Sequence, residues 1–395
     1  MGEKVQKHIL FNVVILILGI SISIFYSSNA RTEKRVLSSS ESQLALAYSN
    51  QVSYYYTLTA KKTEILYEAI NNFLADPSEN SLKIAKVSWI EARKIYGITE
   101  AFRFYGGPID GLSQFGEEGP EGLINSWPLN EAYIDYVEGN PEAGLINNLN
   151  FKINSETILA SNQSGDDADV STGWHAIEFL LWEQDSSLED SGTRPFADFI
   201  LGKNNNDRRR AYLYQVSLLL LNQVKWLKEQ WSADGEGRRS FLSDDDPGGL
   251  ILTGLTTLAG FELSSERIAT ALDSGDPEDE HSCFSDQTHN DIRANFNGIK
   301  NIYLGLNSKG ERFFSSVSDL VAENNPSLNA SIISRLKEVS NNIEDITVPF
   351  DKMLSESNDG PGRIAAEKTV NNLLALAENF KKAGKGLNWQ VIISE

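Results

Sequence analysis

Apolar side chains recur at three- and four-residue spacings through most of this chain, and this helical period is what most constrains its fold. The pattern predicts long amphipathic helices over residues 42–74, 79–105, 207–231, 250–272, 286–306, 328–346 and 364–383. On the second of these, it places Leu82, Ile84, Val87 and Trp89 on the buried side. No segment alternates apolar and polar residues for long enough to predict a β-strand. The expected fold class is therefore all-α, built from antiparallel helical bundles.

Long irregular segments separate several of the predicted helices, over residues 106–129, 139–172 and 185–206. They are rich in Gly, Pro, Asn, Ser and Asp, and loops of this length usually cover a site or join domains. The best domain boundary is the sequence Leu-Gly-Lys-Asn-Asn-Asn at residues 201–206. We therefore expect two helical-bundle domains, residues 31–202 and 203–395.

The N-terminus has the pattern of a signal peptide. Lys4 and Lys7 precede an apolar run over residues 9–26, and the small-x-small sequence at residues 28–30 allows cleavage. Residues 1–30 are therefore predicted to export the protein to the periplasm or the outer cell envelope. The run is about as long as the roughly 18 to 20 residues that cross a bilayer, so an uncleaved membrane anchor is the alternative. Two serines within the run favour cleavage.

Charge and cysteine content exclude several classes of function. A formal net charge of −20 argues against nucleic-acid binding, because the phosphates would be repelled. Cations are the more natural ligands of so acidic a chain. Cys283 is the only cysteine, so the sequence allows neither an intrachain disulfide nor a cysteine-rich zinc site. A buried, unreactive thiol is a commoner state for such a cysteine than a nucleophile.

Three of the four histidines lie in two short stretches that also contain carboxylates. His175 belongs to Gly-Trp-His-Ala-Ile-Glu at residues 173–178, and His281 and His289 lie within residues 278–289. The fourth histidine is inside the predicted signal peptide. Imidazoles beside carboxylates are suited to metal binding or to proton transfer near neutral pH. We therefore expect the functional site at these two stretches.

His175 and Glu178 are three residues apart on a predicted helix, so both side chains project from one side and can bind a single ion. The helix is apolar on nearly every side, which predicts that it is buried and that both groups need polar partners. The alternative is a structural pair in which the core imidazole and carboxylate satisfy each other. Spacing alone does not decide, because His-x-x-Glu is short and frequent.

A second group of candidates has weaker support. Glu100 and Arg103 share a helix face ahead of Asp110, and the aromatic residues around them favour Glu100 as a carboxylate ligand that points into the core. An exposed ion pair between Glu100 and Arg103 is the alternative. Glu131 and Asp135 are four residues apart on a predicted short helix, and a solvated face is the preferred interpretation of both.

The third candidate segment is acidic and contains two of the histidines. Its candidate residues are Glu280, His281, Asp286 and His289. Oxygen and imidazole ligands of this kind suit iron, zinc, manganese or copper. For the acidic residues 276–280, a solvated loop is the alternative. We expect at least one of the four candidate side chains to lie within reach of His175, because ligand sites favour clefts between domains.

At these residues the chain resembles the imelysin family. Residues 173–178 match its Gly-x-His-x-x-Glu signature, and residues 99–110, 127–135 and 278–292 are similar to further family blocks in the same order. Glu183 departs from the pattern, since relatives often carry glycine there. The resemblance implies two helical bundles with the motif near their interface. It also implies His175 and Glu178 as the motif pair, with Glu100 as the best further ligand.

Members of this family are described as iron-regulated proteins and as proposed insulin-cleaving peptidases, so the resemblance implies two functions. A metal-binding role in iron acquisition needs only carboxylate and imidazole ligands, with iron as the first choice and zinc or copper as alternatives. Its expected partners are the metal ion and iron-uptake components of the envelope. A zinc peptidase with Glu178 as the catalytic residue is the alternative, but the chain lacks His-Glu-x-x-His. We favour metal binding and place a purely structural or peptide-binding module third.

Overall fold

Long helices account for most of the structure, a computed structural model that describes residues 35–116, 119–312 and 315–393. The described residues from Ser38 onward form one compact unit, and they contain no β-strand. The predicted all-α class is therefore confirmed. The predicted signal peptide, residues 1–30, lies outside the described residues. Within the described ranges, no helix is both long and apolar enough to cross a membrane.

Each long helix that the period predicts is present. The α-helices of the described residues are α1 (Ser39–Ala75), α2 (Glu79–Thr99), α3 (Glu121–Ile124), α4 (Glu131–Ile134), α5 (Gly144–Asn147), α6 (Ser155–Ser161), α7 (Gly173–Trp182), α8 (Asn206–Gln230), α9 (Glu236–Leu242), α10 (Pro247–Thr257), α11 (Thr270–Ser274), α12 (Thr288–Leu304), α13 (Val317–Asn324), α14 (Pro326–Glu344), α15 (Phe350–Leu354) and α16 (Pro361–Leu387). Short 3-10 helices span Glu100–Phe102, Phe196–Phe199 and Pro277–Asp279, and a π-helical segment spans Leu258–Ala269.

The second helix ends earlier than the period predicts. α2 ends at Thr99 and continues only as the 3-10 turn Glu100–Phe102, rather than as α-helix to Tyr105. Phe104 has a φ of 71°, a left-handed value that a right-handed helix cannot include. The tighter 3-10 turn at the end of α2 places Glu100 in the core.

The buried side of α2 differs from the predicted one at two positions. Leu82 and Trp89 are buried, but Ile84 and Val87 are 51% and 49% exposed, so their predicted inward orientation is wrong. A helix turns about 100° per residue, so Val87, two positions from both Ala85 and Trp89, faces away from them. Ile84 is turned about 100° from Ala85 and about 140° from Trp89. The apolar character of Ile84 and Val87 alone did not show this.

Two long helices flank the motif helix. α1 packs along α2 and α8, and the motif helix α7 packs between α2 and α8. α16 packs against α10, α14 and the π-helical segment, while α12 joins this group to α2. Two amphipathic helix layers therefore meet at α2 and α12. The domain division between residues 202 and 203 stays a prediction.

The π-helical segment Leu258–Ala269 has a wider turn than an α-helix, with hydrogen bonds between residues five apart. Residues five apart consequently come to one side. Glu262 and Arg267 use this geometry, and their side chains form an ion pair of 2.8 Å.

Candidate functional site

The motif helix α7 is buried along its whole length. It begins at Gly173, which has a φ of +86°. A Cβ at this position would overlap the carbonyl oxygen of Ile124, so glycine allows the helix to begin directly against the α3 backbone. The indole N–H of Trp89 donates to the carbonyl of Trp174 at 3.1 Å and ties the first turn to α2. The glycine of the motif is thus explained by backbone conformation and close packing.

His175 and Glu178 form a buried pair on this helix. His175 Nδ1 lies 2.9 Å from Glu178 Oε2. Glu178 Oε1 accepts hydrogen bonds from the backbone N–H of Ser285 at 3.1 Å and from its hydroxyl at 2.6 Å. Glu178 therefore connects the motif helix to the second histidine-bearing segment.

His281 has a similar environment. Its Nδ1 lies 2.9 Å from Asp291 Oδ2, an oxygen that also accepts a hydrogen bond from the Ser282 hydroxyl at 2.7 Å. The ring centroids of His281 and His175 are 4.9 Å apart, with an interplanar angle of 62°. The prediction that a side chain of this segment lies within reach of His175 is confirmed by His281.

Arg93 of α2 contacts both imidazoles. Its Nη2 lies 3.4 Å from His175 Nε2, and 3.2 Å and 3.4 Å from the two ring nitrogens of His281. The same atom pairs with Asp291 Oδ2 at 3.0 Å. Nη1 donates to the side-chain oxygen of Asn125. A buried positive charge thus lies between the two histidines.

The two imidazoles are neutral at pH 7. Burial and the Arg93 charge lower the pKa of His175 well below its ordinary value. Burial, followed by the charge of Arg267, lowers the pKa of His281 to about 4. Because a guanidinium can only donate, a neutral His175 accepts from Arg93 at Nε2. Nδ1 then carries the proton and donates it to Glu178 when that carboxyl group is ionised.

The two carboxylates beside the histidines differ in their acidity. Burial raises the pKa of Glu178 to about 8, against hydrogen bonds from Ser285 that favour the carboxylate. Asp291 is equally buried, but Arg93 and the hydrogen bond from His281 hold its pKa well below the ordinary value. Asp291 therefore stays ionised, whereas Glu178 exchanges a proton close to physiological pH. A pair of carboxyl groups with separated pKa values can serve acid–base chemistry.

Glu100 lies in a neighbouring network of ion pairs. Its Oε2 pairs with Arg103 Nη1 at 3.0 Å and with Arg267 Nη2 at 2.7 Å. Arg103 also pairs with Glu121 at 2.8 Å. Although Glu100 is buried, these arginines hold its pKa at about 2. The predicted burial of Glu100 is confirmed, and the alternative of an exposed ion pair is wrong because Glu100 is only 1% exposed.

A cavity of about 330 Å³ adjoins both this network and His281. Its lining includes Arg103, Arg267, Trp127 and His281. The rings of Trp127 and His281 pack edge to face, with centroids 5.7 Å apart. A larger cavity of about 520 Å³ contains none of the predicted site residues in its wall. Cavity size alone therefore does not identify the functional site.

Asp110 and Asp135 lie in other parts of the core. Asp110 accepts a hydrogen bond from the backbone N–H of Phe104, and burial raises its pKa. Asp135 follows the end of α4 and pairs with the buried side chains of Arg194 and Arg209. The expected solvated face is wrong for Asp135, which is fully buried because the two arginines compensate its charge.

The other residues of the third segment are separated from His175. Glu280 is fully buried, so the solvated-loop interpretation is wrong at this position. Asp286 and His289 are partly exposed, and neither forms a described contact with His175. Cys283 is buried, and burial raises the pKa of its thiol well above the ordinary value, which agrees with the expected unreactive state.

Arg93, Asp291, Asn125 and Ser285 were not predicted as site residues. Arg93 had a detectable signal, because it is four residues after the inward-facing Trp89 and charged residues are rare on a buried helix face. The other three become visible only when distant segments are brought together in space.

The donor types at the motif fit a transition metal, since imidazole and carboxylate are ligands of iron, zinc and copper. The distances between these donor atoms fit a metal site less well. Within the described residues, the one group of three or more possible ligands whose atoms all lie within 4.8 Å of one another is Asp185, Asp286 and Asp351. His175, Glu178 and Glu100 do not form such a group, and their assignment as joint ligands stays a prediction.

Three buried polar atoms in and near the motif helix lack a hydrogen-bond partner among the described residues: Tyr96 Oη, Glu100 Oε1 and Trp174 Nε1. Atoms that face bound ions or waters often lack such a partner.

Known proteins resemble this chain in sequence and in fold. Iron-regulated protein A of Synechococcus elongatus is 25% identical over 268 residues, which cover 65% of this chain and 62% of that protein. The match thus spans less than two thirds of the relative. The crystal structure of a proposed iron-regulated protein A precursor from Parabacteroides distasonis superposes with a TM-score of 0.66 at 20% identity, covering 88% of this chain and 97% of the other. An imelysin-like protein from Psychrobacter arcticum gives 0.64 at 14% identity, covering 91% and 99%.

The two crystal structures support the fold alone, because their sequence identity to this chain is low. The family assignment comes from the sequence. The family model described as Imelysin, a peptidase family by its name, matches residues 53–380 and includes the motif helix, Arg93 and His281. The chain belongs to the imelysin family.

Proposed function

We propose that this protein binds a transition-metal ion between the motif helix and the second histidine segment, with iron as the first candidate and zinc or copper as alternatives. We further propose that it serves iron acquisition in the periplasm or outer cell envelope. The exported location rests on the signal-like residues 1–30. The link to iron rests on the names of the relatives from Synechococcus elongatus and Parabacteroides distasonis.

The observation that carries this proposal is the pair of buried, neutral imidazoles, each with the carboxyl group of an acidic residue at Nδ1. Glu178 holds His175 in this way and Asp291 holds His281, both at 2.9 Å. Metal-binding histidines usually donate one ring N–H to such a partner, which orients the ring and leaves the other nitrogen for the ion. Neutral imidazoles also bind a metal without first releasing a proton.

Arg93 marks the position of the ion in this proposal. Its Nη2 is within 3.4 Å of both rings and 3.0 Å from Asp291 Oδ2, so the surroundings already stabilise a cation there. His175 and His281 would hold the ion only with the Arg93 guanidinium moved out of the position between the rings, because two positive charges cannot share so small a volume. In this arrangement Glu178 orients His175, and Glu100 remains with its two arginines.

A zinc peptidase is the second candidate. The feature that favours it is Glu178, a buried carboxyl beside the motif histidine with a pKa of about 8, as a general base requires. The cavity of about 330 Å³ next to His281 would then have to admit a peptide. We rank this function second because His175 and His281 are the only described histidines at the motif, and a catalytic zinc needs at least three protein ligands.

Calorimetric titration of metal-free protein with ferrous and zinc ions tests the proposal. His175→Ala and His281→Ala should each weaken binding at least tenfold, which corresponds to about 1.4 kcal/mol. Arg93→Met should strengthen it, because the competing cation is removed. His289→Ala is the matched control, since that histidine forms no described contact with either ring, and it should bind like the wild type.

Glu100→Gln separates the two possible ligand sets. Unchanged affinity is expected if His175 and His281 bind the ion, whereas a tenfold loss would support Glu100 as a ligand. The proposal is wrong if the wild type binds neither metal, or if neither histidine substitution weakens binding. Chelator-sensitive cleavage of denatured insulin that Glu178→Ala abolishes would establish the peptidase instead.

A further inference from the structure

Three aspartates from three separate segments meet beside the motif helix. Asp185 follows the end of α7, Asp286 follows the segment that holds Glu178, and Asp351 lies in α15. One carboxylate oxygen of each lies within 4.8 Å of one oxygen of each of the others. This group, which we call the aspartate cluster, is distinct from the two histidines.

The aspartate cluster lacks a compensating positive charge. Among the described residues, no lysine, arginine or histidine forms an ion pair with any of its three members. One oxygen of each has no hydrogen-bond partner there: Asp185 Oδ2, Asp286 Oδ1 and Asp351 Oδ1. This differs from Asp135, whose buried charge is balanced by two arginines.

Glu280 adds a fourth carboxylate and is the independent observation that points to a ligand. It is fully buried, and neither of its carboxyl oxygens forms a hydrogen bond of normal length and angle with another described residue. The polar groups next to it are the Asp351 carboxylate and the Thr288 hydroxyl. A glutamate on this polypeptide segment could have remained in solvent, as the exposed Asp276 does. It instead points at the aspartate cluster.

Four carboxylates in this arrangement repel one another unless something neutralises them. Burial and then the nearby Asp351 raise the pKa of Asp286 to about 7, and burial is the main cause that raises the pKa of Asp185 to about 6. Protons alone would therefore leave the group partly charged at pH 7. Charged carboxylates that are buried or half-buried without a positive partner are costly, so a bound cation is the more effective partner.

We propose that Asp185, Asp286, Asp351 and Glu280 bind a hard divalent cation, with calcium as the expected ion. All four ligands are carboxylate oxygens, which calcium, magnesium and manganese prefer over softer ligands. Calcium fits best because it accepts six to eight oxygens in flexible geometry, whereas magnesium demands a nearly ideal octahedron. The histidine pair, with its imidazole nitrogens, suits a different class of ion.

The cation would connect three segments that the chain brings together only on folding. Asp286 directly follows Ser285, which donates two hydrogen bonds to Glu178. A cation at the aspartate cluster therefore braces the segment that positions Glu178, and it does so whether or not the histidine pair binds a metal. This inference is independent of the proposed function.

Thermal unfolding and equilibrium dialysis of chelator-treated, full-length protein test the inference with calcium, magnesium and manganese chlorides as probes. Calcium should bind at one ion per chain and raise the melting temperature by about 2 °C or more at saturation. Asp185→Asn and Asp286→Asn should weaken calcium binding at least tenfold. Both positions are partly exposed, so these variants should fold. In chelator they should melt at or above the wild-type temperature, because one repelling charge is removed.

Two control variants show whether the calcium response belongs to the aspartate cluster. Asp76→Asn changes an exposed aspartate far along the chain and should keep the full calcium response. His175→Ala should keep it as well, which distinguishes this site from the histidine pair. The inference is overturned if none of the three cations shifts wild-type melting, or if Asp185→Asn and Asp286→Asn respond like wild type. A larger response to magnesium than to calcium would contradict the choice of ion.

Discussion

At the scale of single residues, burial and the charge of Arg93 together set the protonation of the site. Both lower the pKa of His175, and burial with the charges of Arg267 and Arg93 lowers the pKa of His281. Arg93 also keeps the Asp291 carboxylate ionised. Glu178 forms no described hydrogen bond to this arginine and keeps a raised pKa because burial dominates. One arginine thus helps to separate neutral imidazoles from a proton-exchanging acid within a single buried cluster.

The lowered pKa of His281 predicts that the protein loses stability in acid. Its pKa is about 4 in the folded protein and near the ordinary 6.5 in the unfolded chain, so the unfolded chain binds the proton first as pH falls. The free energy of unfolding therefore does not depend on His281 protonation above about pH 6.5, and it falls as pH decreases from there towards 4. Between pH 7 and 4.5 this decrease amounts to about 2 to 3 kcal/mol. Urea unfolding of metal-free wild type and His281→Asn at both pH values measures it.

The wild type should lose more stability than His281→Asn over this range, by about that amount. Comparing the two proteins cancels the opposing effect of carboxyl groups with raised pKa values. Parallel losses in both proteins would show that His281 does not stay neutral in the folded state.

At the scale of helices and loops, the position of α7 depends on its first residue. Gly173 combines a left-handed φ with a backbone contact to Ile124 that leaves no room for a Cβ. This contact fixes the residue at which α7 begins. The start of the helix in turn fixes the direction in which the side chains of His175 and Glu178 project. The π-helical segment acts in a similar way, because its wider turn brings Arg267 towards both Glu262 and Glu100.

Gly173→Ala should destabilise the protein by about 3 kcal/mol or more, since it adds backbone strain and a steric overlap. Gly139→Ala is the matched control, because Gly139 has a φ of +77° but no described atom lies within 4 Å of the position that a Cβ would take. It should cost only the strain, about 1 to 2 kcal/mol. Denaturant unfolding of both variants gives the comparison. Equal losses would mean that the Ile124 contact is unimportant.

At the scale of the whole molecule, the helical period predicted the fold class and every long helix, because burial of one side of a helix leaves a local pattern in sequence. The two histidine stretches were also predicted to approach each other, and His281 does lie beside His175. The contacts of Arg93 with His281 and Asp291 join residues 188 and 198 positions apart, which no local period records. Burial of Asp135 was missed for a related reason: sequence shows the charge of this residue but not Arg194 and Arg209, which compensate it. Burial of Glu280 was missed because its acidic neighbours in sequence favoured an exposed loop.

The central claim is that a transition-metal ion binds between His175 and His281 in place of the Arg93 guanidinium. Anomalous diffraction at the iron absorption edge, from crystals grown with saturating ferrous ion, tests it most directly. The account predicts an anomalous peak about 2 Å from His175 Nε2, with a second contact to His281 and the Arg93 side chain displaced. No peak at this position, with Arg93 still between the two rings, would contradict it.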